Sequence, residues 1–581
     1  MATFSGLNTL WVLFGAALVF FMQAGFVMVE AGFTRAKNSG NIIMKNAIDF
    51  AIGAPAFWLI GFGIMFGGSG ALFGSLDLMV CGDYSAVLPS GVPLPAFLIF
   101  QTVFCATAAT IVSGAMAERT EFKAYCLYSA VISLFVYPVS GHWIWGGGWL
   151  GELGFHDFAG STAVHMVGGV AALVGAKMLG PRIGKYNKDG SPNAIPGHSL
   201  TLGALGVFIL WFGWFGFNGA STVSMEGDQI LAAGDIFVTT NLAAALATLT
   251  TMLFTWVRYK KPDVSMTLNG ALAGLVSITA GCDAVSPAGA AIIGVMAGFT
   301  IVLGIEFIDK VLKVDDPVGA IGVHGVCGAL GTVLTGIFSL EEGLLYGHGF
   351  GLLTVQIIGI LATGAWVAVT MGITFFLIKK IVGLRVSVET EIRGLDQEEH
   401  GVSSYADFMP IAAAVPAWSA SVTDSIKPLE SLYREQAMPS GENREGAVFT
   451  RVSIHFNPTH LDAMKKAMND IGITGMTVYN VLGCGMQKGK KQGEYYRGTR
   501  VETLDLLPKL QMDIVVTAVP VEQVIESARK VLYTGKIGDG KIFVANVQDV
   551  MKISTGERGY AALQDITSET DKTDRSAPSL D

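Results

Sequence analysis

DFAGSTAVHMVGG, residues 157–169, and DPVGAIGVHGVCG, residues 316–328, decide how this chain is read. Each has the form D-x-x-G-x-x-x-V-H, and the two histidines, His165 and His324, lie 159 residues apart. Both sit in long apolar stretches, where ionisable side chains are rare and normally face a bundle interior or a polar cavity. Repetition at that distance implies two homologous halves. Five membrane helices per half invert the second copy relative to the first, so that both imidazoles meet near the midplane.

The composition around these motifs agrees. Of 581 residues, 51% are hydrophobic and only 15% charged, with a formal net charge of −9. Disorder, collagen and a disulfide scaffold are excluded, and a wholly soluble enzyme is disfavoured because a soluble chain carries about 25% charged residues. Six cysteines without a C-x-x-C pair indicate neither a zinc site nor a disulfide framework.

A helix needs about 20 apolar residues to span a bilayer. Eleven such stretches are expected, near 7–30, 43–67, 94–117, 122–140, 161–180, 199–218, 235–257, 266–282, 287–308, 318–338 and 351–380. Every Lys and Arg of this half, from Arg35 to Arg385, follows an odd-numbered stretch; the alternate loops hold acidic residues such as Asp83, Glu152 and Asp283. The positive-inside rule then puts the N-terminus outside and the C-terminal region in the cytoplasm. The first stretch lacks a basic leader and contains Gln23 and Glu30, so it reads as a retained helix with Glu30 near its cytoplasmic end.

The expected organisation is a membrane all-α unit over 1–385, made of eleven helices with an inverted five-plus-five repeat. A cytoplasmic tail and linker follow over 386–445, with Pro410, Pro416, Pro428 and Pro439. Residues 446–563 alternate strand and helix patterns twice, as in a ferredoxin-like α/β unit. Residues 564–581 have a disordered composition.

Paired imidazoles in an apolar path suit a small solute that sheds and regains a proton, since neutral imidazole offers one donor and one acceptor and titrates near neutrality. The plainer alternative is two histidines that only satisfy each other. HWIWGGGW (142–149) and WFGWFGFNGAS (211–221) add aromatic faces. An interfacial belt explains most of these rings. Indole faces also attract cations, at about 0.5–2 kcal/mol. With no carboxylate cluster sized for a metal, the guest expected is a small monovalent cation.

These residues carry a close resemblance to the ammonium transporter family (Amt/Mep/Rh), through FVMVEAGFTRAKN, VSGAMAER, HWIWGGG, DFAGSTAVH, WFGWFGFN and DDPVGAIGVHGVCG over residues 1 to about 406. The resemblance implies a homotrimer with one pore per subunit in the cell's inner (plasma) membrane. It implies that Trp145 and Ser221 recruit ammonium with support from Asp157, that Phe104 and Phe217 are stacked phenyl gates, and that His165 and His324 are the twin-histidine pair. Arg393–Asp396 and Glu399–Gly401 match the family's regulatory tail.

The C-terminal unit resembles the PII signal-transduction family over about 448–563, most strongly at TGKIGDGKIFV (534–544) and also at IGITGMTVYNVLGCGMQKG and LLPK. By that resemblance Gly483, Gln487, Lys488, Gly538, Asp539, Gly540, Lys541 and Lys552 would bind an adenine nucleotide, ADP or ATP. Gln487 and Lys509 would serve 2-oxoglutarate, with Mg as a further candidate. Phosphate-contacting arginines of the family appear here as Met486, Lys552 and Ser554, which removes bidentate donors. The loop between Gly489 and Lys509 is long and has TRVE (499–502) where the modified tyrosine is customary, so uridylylation is not expected. Arg497 matches the loop arginine that plugs a channel mouth in the free-standing family.

The function expected is ammonium transport through a hydrophobic twin-histidine pore, regulated by or reporting to the fused domain. The alternative is a sensor that conducts little and signals to a cytosolic partner. A monovalent-cation channel is disfavoured by the missing TVGYG-type filter. Neither an enzymatic activity nor a nucleic-acid partner is expected.

Overall fold

The computed structural model describes residues 4–68, 70–405, 449–457, 460–473, 475–483, 494–496, 499–501, 507–517, 519–535 and 539–563. They fall into two compact units.

The larger unit is a helical bundle. Among the described residues ten helices are long and apolar enough to cross a membrane: α1 Gly6–Phe33, α2 Ala36–Phe66, α3 Leu94–Ala115, α4 Phe122–Glu152, α5 Ser161–Leu179, α6 Leu200–Thr222, α7 Gln229–Tyr259, α9 Pro287–Lys310, α10 Ile321–Phe338 and α11 Gly351–Ile381. The apolar helix α8, Val264–Ile278, has 15 residues and stops short of the stretch expected near 266–282. Its chain leaves helical geometry to lie against the entry to α5. Phe158 N–H donates to Ala280 O at 2.9 Å and Ala159 N–H to Thr279 O at 3.2 Å. The carbonyls of Thr279 and Ala280 are taken by that neighbour, while Thr279 and Gly281 N–H groups bond back to Val276 O and Ile278 O in a tight turn.

The loop charges give the bundle a basic end, with Arg35, Arg119, Arg182, Arg258 and Lys310, and an acidic end. At the basic end two short helices, α12 (Val388–Arg393) and α13 (Leu395–His400), pack on the loops. The Asp396 carboxylate accepts from the N–H groups of Gly40 (2.9 Å) and Asn41 (2.8 Å), capping α2. Glu399 accepts from Phe122 N–H at 2.8 Å, at the start of α4.

The smaller unit has strands β1 Phe449–Phe456, β2 Thr477–Gly483, β5 Leu507–Val516 and β6 Lys541–Val547 in the order β2-β5-β1-β6, every pair antiparallel. A separate hairpin pairs β3 Glu494–Tyr496 with β4 Thr499–Val501. Period-two alternation in β1 turns Val452, Ile454 and Phe456 inward. They meet Met464 and Met468 of α14 (Leu461–Asp470) and Val524, Ala528 and Leu532 of α15 (Val521–Leu532). Both helices show the i, i+4 apolar spacing that one face of a sheet requires.

Candidate functional site

The two D-x-x-G motifs build the site. In the first, the Asp157 carboxylate accepts backbone N–H bonds from Gly160 (3.0 Å), Ser161 (2.8 Å), Thr162 (2.9 Å) and Ala163 (2.8 Å). It satisfies the otherwise orphaned donors at the start of α5. In the second, Asp316 accepts from Gly319 (3.0 Å), Ala320 (3.1 Å) and Ile321 (2.8 Å) at the start of α10. The chain turns into each helix through a left-handed residue, Gly160 (φ 115°) and Gly319 (φ 84°), conformations that a side chain disfavours. Each helix then opens with a widened π-helical turn, Ser161–Met166 and Ile321–Val326, which aims its histidine inward.

Where α5 and α10 cross, their backbones nearly touch. A Cβ on Gly169 would lie 2.1 Å from Gly325 N, and one on Gly328 would lie 2.6 Å from Ser161 O and 3.2 Å from Met166 N. Met166 and Gly325, like Gly169 and Gly328, are the same positions of the two repeats, so the contact is reciprocal.

The crossing brings the rings together. Nδ1 of His165 lies 3.2 Å from Nδ1 of His324, with ring centroids 5.2 Å apart. One proton serves that contact, so one ring donates from Nδ1 while its partner accepts and carries its proton on Nε2. His165 is fully buried and its Nε2 has no hydrogen-bond partner among the described residues. Walls around it are aromatic: Trp214 at 5.0 Å and Phe217 at 5.2 Å, both stacked. Towards the acidic end Phe217 meets Phe104 at 4.2 Å, and Phe104 meets Trp145 at 6.3 Å, edge to face. Towards the basic end Phe26 lies 6.1 Å from His324, beside a cavity that His324 lines.

Trp145, Phe104, Phe217, His165 and His324 therefore form one continuous column. Trp145 is fixed by its Nε1–H bond to Asp157 O at 2.7 Å. Ser221 sits one turn beyond Phe217 and donates to its carbonyl at 2.7 Å. Asp157 reaches the column only through backbone: its carboxylate caps α5 and its carbonyl holds Trp145. Sequence reasoning missed Trp214, three residues before Phe217 on the same helical face; its Nε1–H donates to Thr279 Oγ1 at 2.9 Å. The i, i+3 spacing within WFGWFGFN was the available signal. Glu30 lies in the last turn of α1, near the helix end as expected, but it is 2% exposed, a burial the sequence reading did not foresee.

The chain belongs to the ammonium transporter family. That family's model matches residues 10–405, and the model of the nitrogen regulatory protein P-II matches residues 449–557. Ammonium transporter Amt2 of Archaeoglobus fulgidus is 46% identical over 429 residues, covering 70% of this chain and 90% of its own. Ammonium transporter 1 member 3 of Solanum lycopersicum is 37% identical over 435 residues, covering 69% and 93%. Among solved structures, one titled "Sensor Amt Protein" is 41% identical with a TM-score of 0.64, covering 68% of this chain and 98% of its own. Mep2 of Candida albicans is 29% identical with a TM-score of 0.62, covering 71% and 94%.

In the P-II region of this ammonium transporter family member the expected ligand residues divide between two places. Gly483 ends β2 and Lys509 lies on the adjoining β5, opposite Val481. Asp539, Gly540 and Lys541 precede or open β6, at the other edge of the sheet. Asp539 closes its loop by accepting from Thr534 N–H at 2.8 Å and from the Thr534 hydroxyl. Gly540 (φ 129°) passes so close to β1 that a Cβ would lie 1.9 Å from His455 O. Lys552 follows β6 and donates its backbone N–H to Glu557 O at 2.8 Å. Gln487, Lys488, Arg497 and Gly538 lie outside the described residues.

Proposed function

We propose that this protein carries ammonium across the membrane as ammonia, with the proton handled separately by the histidine pair. The observation that carries the reading is the His165–His324 contact, buried in an aromatic wall with His165 Nε2 unpartnered among the described residues. Ammonium and potassium are alike in size, so a rigid cage separates them poorly. Leaving an isolated cation desolvated costs several kcal/mol. Ammonium avoids that cost by giving up a proton, and potassium has none to give. Trp145 and Ser221 recruit ammonium, Phe104 and Phe217 exclude water, and the histidines guide ammonia and assist proton passage.

In this reading residues 1–385 form the conducting unit with all eleven helices in the membrane, α8 being completed by the turn residues after it. The reciprocal α5–α10 contact supports an inverted five-plus-five repeat. The N-terminus is outside the inner (plasma) membrane, and residues 386–445, 446–563 and 564–581 (tail and linker, ferredoxin-like unit and terminal tail) are cytoplasmic. The assembly is a homotrimer. Its support is the split of Gly483 and Lys509 from Gly540 and Lys541 across the sheet. At ~4.8 Å per strand, Gly483 on β2 and Lys509 on β5 lie about 14 and 10 Å from β6, and a junction between subunits would set one protomer's pair beside its partner's around a single nucleotide. Half-exposed Phe543 and Val544 on the outer strand β6 suit such a junction. The ligand there is an adenine nucleotide, with 2-oxoglutarate and Mg as its companions, and Arg497 is the loop residue that docks at a pore mouth.

The test is current on solid-supported membranes carrying proteoliposomes. H165A/H324A should lose ammonium-selective current, and unchanged current and selectivity would refute the mechanism. A second reading, that the chain senses ammonium and signals to a cytosolic partner, is favoured by its 41% identity to the solved "Sensor Amt Protein". Currents absent both from the full chain and from a chain ending at residue 405 support the sensor. Nucleotide-sensitive current confined to the full chain supports regulated transport.

A further inference from the structure

Below the histidines, one buried carboxyl has no part in the mechanism so far. Glu30 of α1 lines the same cavity as His324, together with Phe26, Ile111, Leu210 and Val323. Its Oε2 accepts from Ser113 Oγ at 2.8 Å and from Asn46 Nδ2 at 3.2 Å, which fixes the group between α1, α2 and α3. The adjacent cation, Lys45, directs its ammonium to Thr120 O at 3.4 Å. A carboxyl in this largely apolar wall, whose other polar lining groups are Asn269 and His324, is costly as a bare anion, so it resides there with a proton or beside a cation. Those are the two states that exchange when ammonia becomes ammonium.

We propose that Glu30 is the proton-exchanging group on the basic side of the histidine pair, giving emerging ammonia its proton before release. This rests on the transport reading above. The step balances: the carboxyl O–H bond breaks, a fourth N–H bond forms on ammonia, and a carboxylate is left beside ammonium. Ammonium leaves through the cavity. The carboxylate then takes up the proton shed by the next ammonium and relayed by His165 and His324, so neither charge nor mass accumulates. Ser113 and Asn46 donate to the carboxylate and hold it in place between transfers.

The full chain in proteoliposomes tests this with E30Q, which keeps the volume and an acceptor oxygen for Ser113 and Asn46 but cannot exchange the proton. Ammonium current should fall about a hundredfold, the low end for a positioned proton donor, while half-saturating ammonium, set at Trp145 and Ser221, stays unchanged. Infrared difference spectra on adding ammonium should show a protonated-carboxyl band that E30Q lacks. If E30Q fails to fold, E30D carries the test, with reduced current and a shifted band. Wild-type current in E30Q, or an unaltered carboxyl band in either variant, overturns the role of Glu30 alone. A silent wild-type chain overturns the transport reading and this inference together.

Discussion

Asp157 and Asp316 hold equivalent places in the two repeats, and what they hold is backbone. Four N–H groups point at Asp157, and D157A leaves them without an acceptor in a water-poor setting. At ~1 kcal/mol for each orphaned donor, the lower bound, the loss is about 4 kcal/mol or more, read as a large fall in the thermal midpoint of the detergent-solubilised protein. D157N, which keeps one acceptor oxygen, should recover part of it. Next door, burial opposes charging of His156, but the Asp283 carboxylate 3.0 Å away outweighs it and raises the imidazole above its ordinary pKa. A raised folded-state value stabilises fully below the unfolded value of about 6.5 and is lost as pH rises through the folded one. The thermal midpoint should therefore climb slightly on acidification from pH 8 to 6, and H156N should flatten that slope. With both side chains partly exposed, at 35% and 23%, the effect stays under about 1 kcal/mol. At this scale the sequence was a partial guide. His165 and His324 stood out because ionisable groups are rare in apolar stretches, whereas Phe104, Phe217 and Trp145 were named only through the family resemblance. Trp214 and Glu30 were not legible, because a tryptophan among aromatics and a carboxylate near a helix end look ordinary until the fold shows what faces them.

Among elements, the α5–α10 crossing is the tightest joint. Gly169 meets backbone rather than a yielding side chain, so G169A has to push two helices apart. Overpacking costs about 1–3 kcal/mol in ordinary cores, and this site should reach the upper end or beyond. The expected outcome is a lowered midpoint, with ammonium current lost even in protein that still folds. The loops at the basic end have a comparable keystone. Arg182 holds both oxygens of Asp315 at 2.9 Å and Glu118 at 2.8 Å. Burial disfavours both carboxylates, yet the guanidinium outweighs it and holds their pKa values below the usual range. R182A removes these three bonds and leaves Glu118 to Arg35 and Asp315 to Arg119 at 4.0 Å, so it should cost about 3 kcal/mol, the lower end for breaking a buried pair, and R182K should rescue poorly because a point charge cannot bridge three oxygens. The helices themselves were readable from apolar length and loop charge. The early end of α8 was not, since hydropathy registers that a stretch is apolar and says nothing of a neighbouring loop that claims its backbone.

At the level of the whole molecule, two units with separate cores are joined by a chain segment of quite different composition. The smaller unit's alternating strands and amphipathic helices announced its class. Its sheet order did not follow from pattern alone, because period-two alternation specifies a strand's faces and not its neighbours. If Lys541 and its partners bind an adenine nucleotide, calorimetry on the full chain should register ATP or ADP binding that K541A abolishes. Absence of heat from the wild-type chain with either nucleotide would remove the basis for ligand control.

The joint at Gly169 and Gly325 also bears on how fast such a protein can work. Two halves that meet backbone to backbone at their centre have no room to rock past one another. In the transport reading proposed above, the passage is then a fixed one for whatever can lose its charge at one mouth and recover it at the other. Its throughput should then be paced by hydrogen-ion traffic, slowing in heavy water far more than it responds to bilayer stiffness.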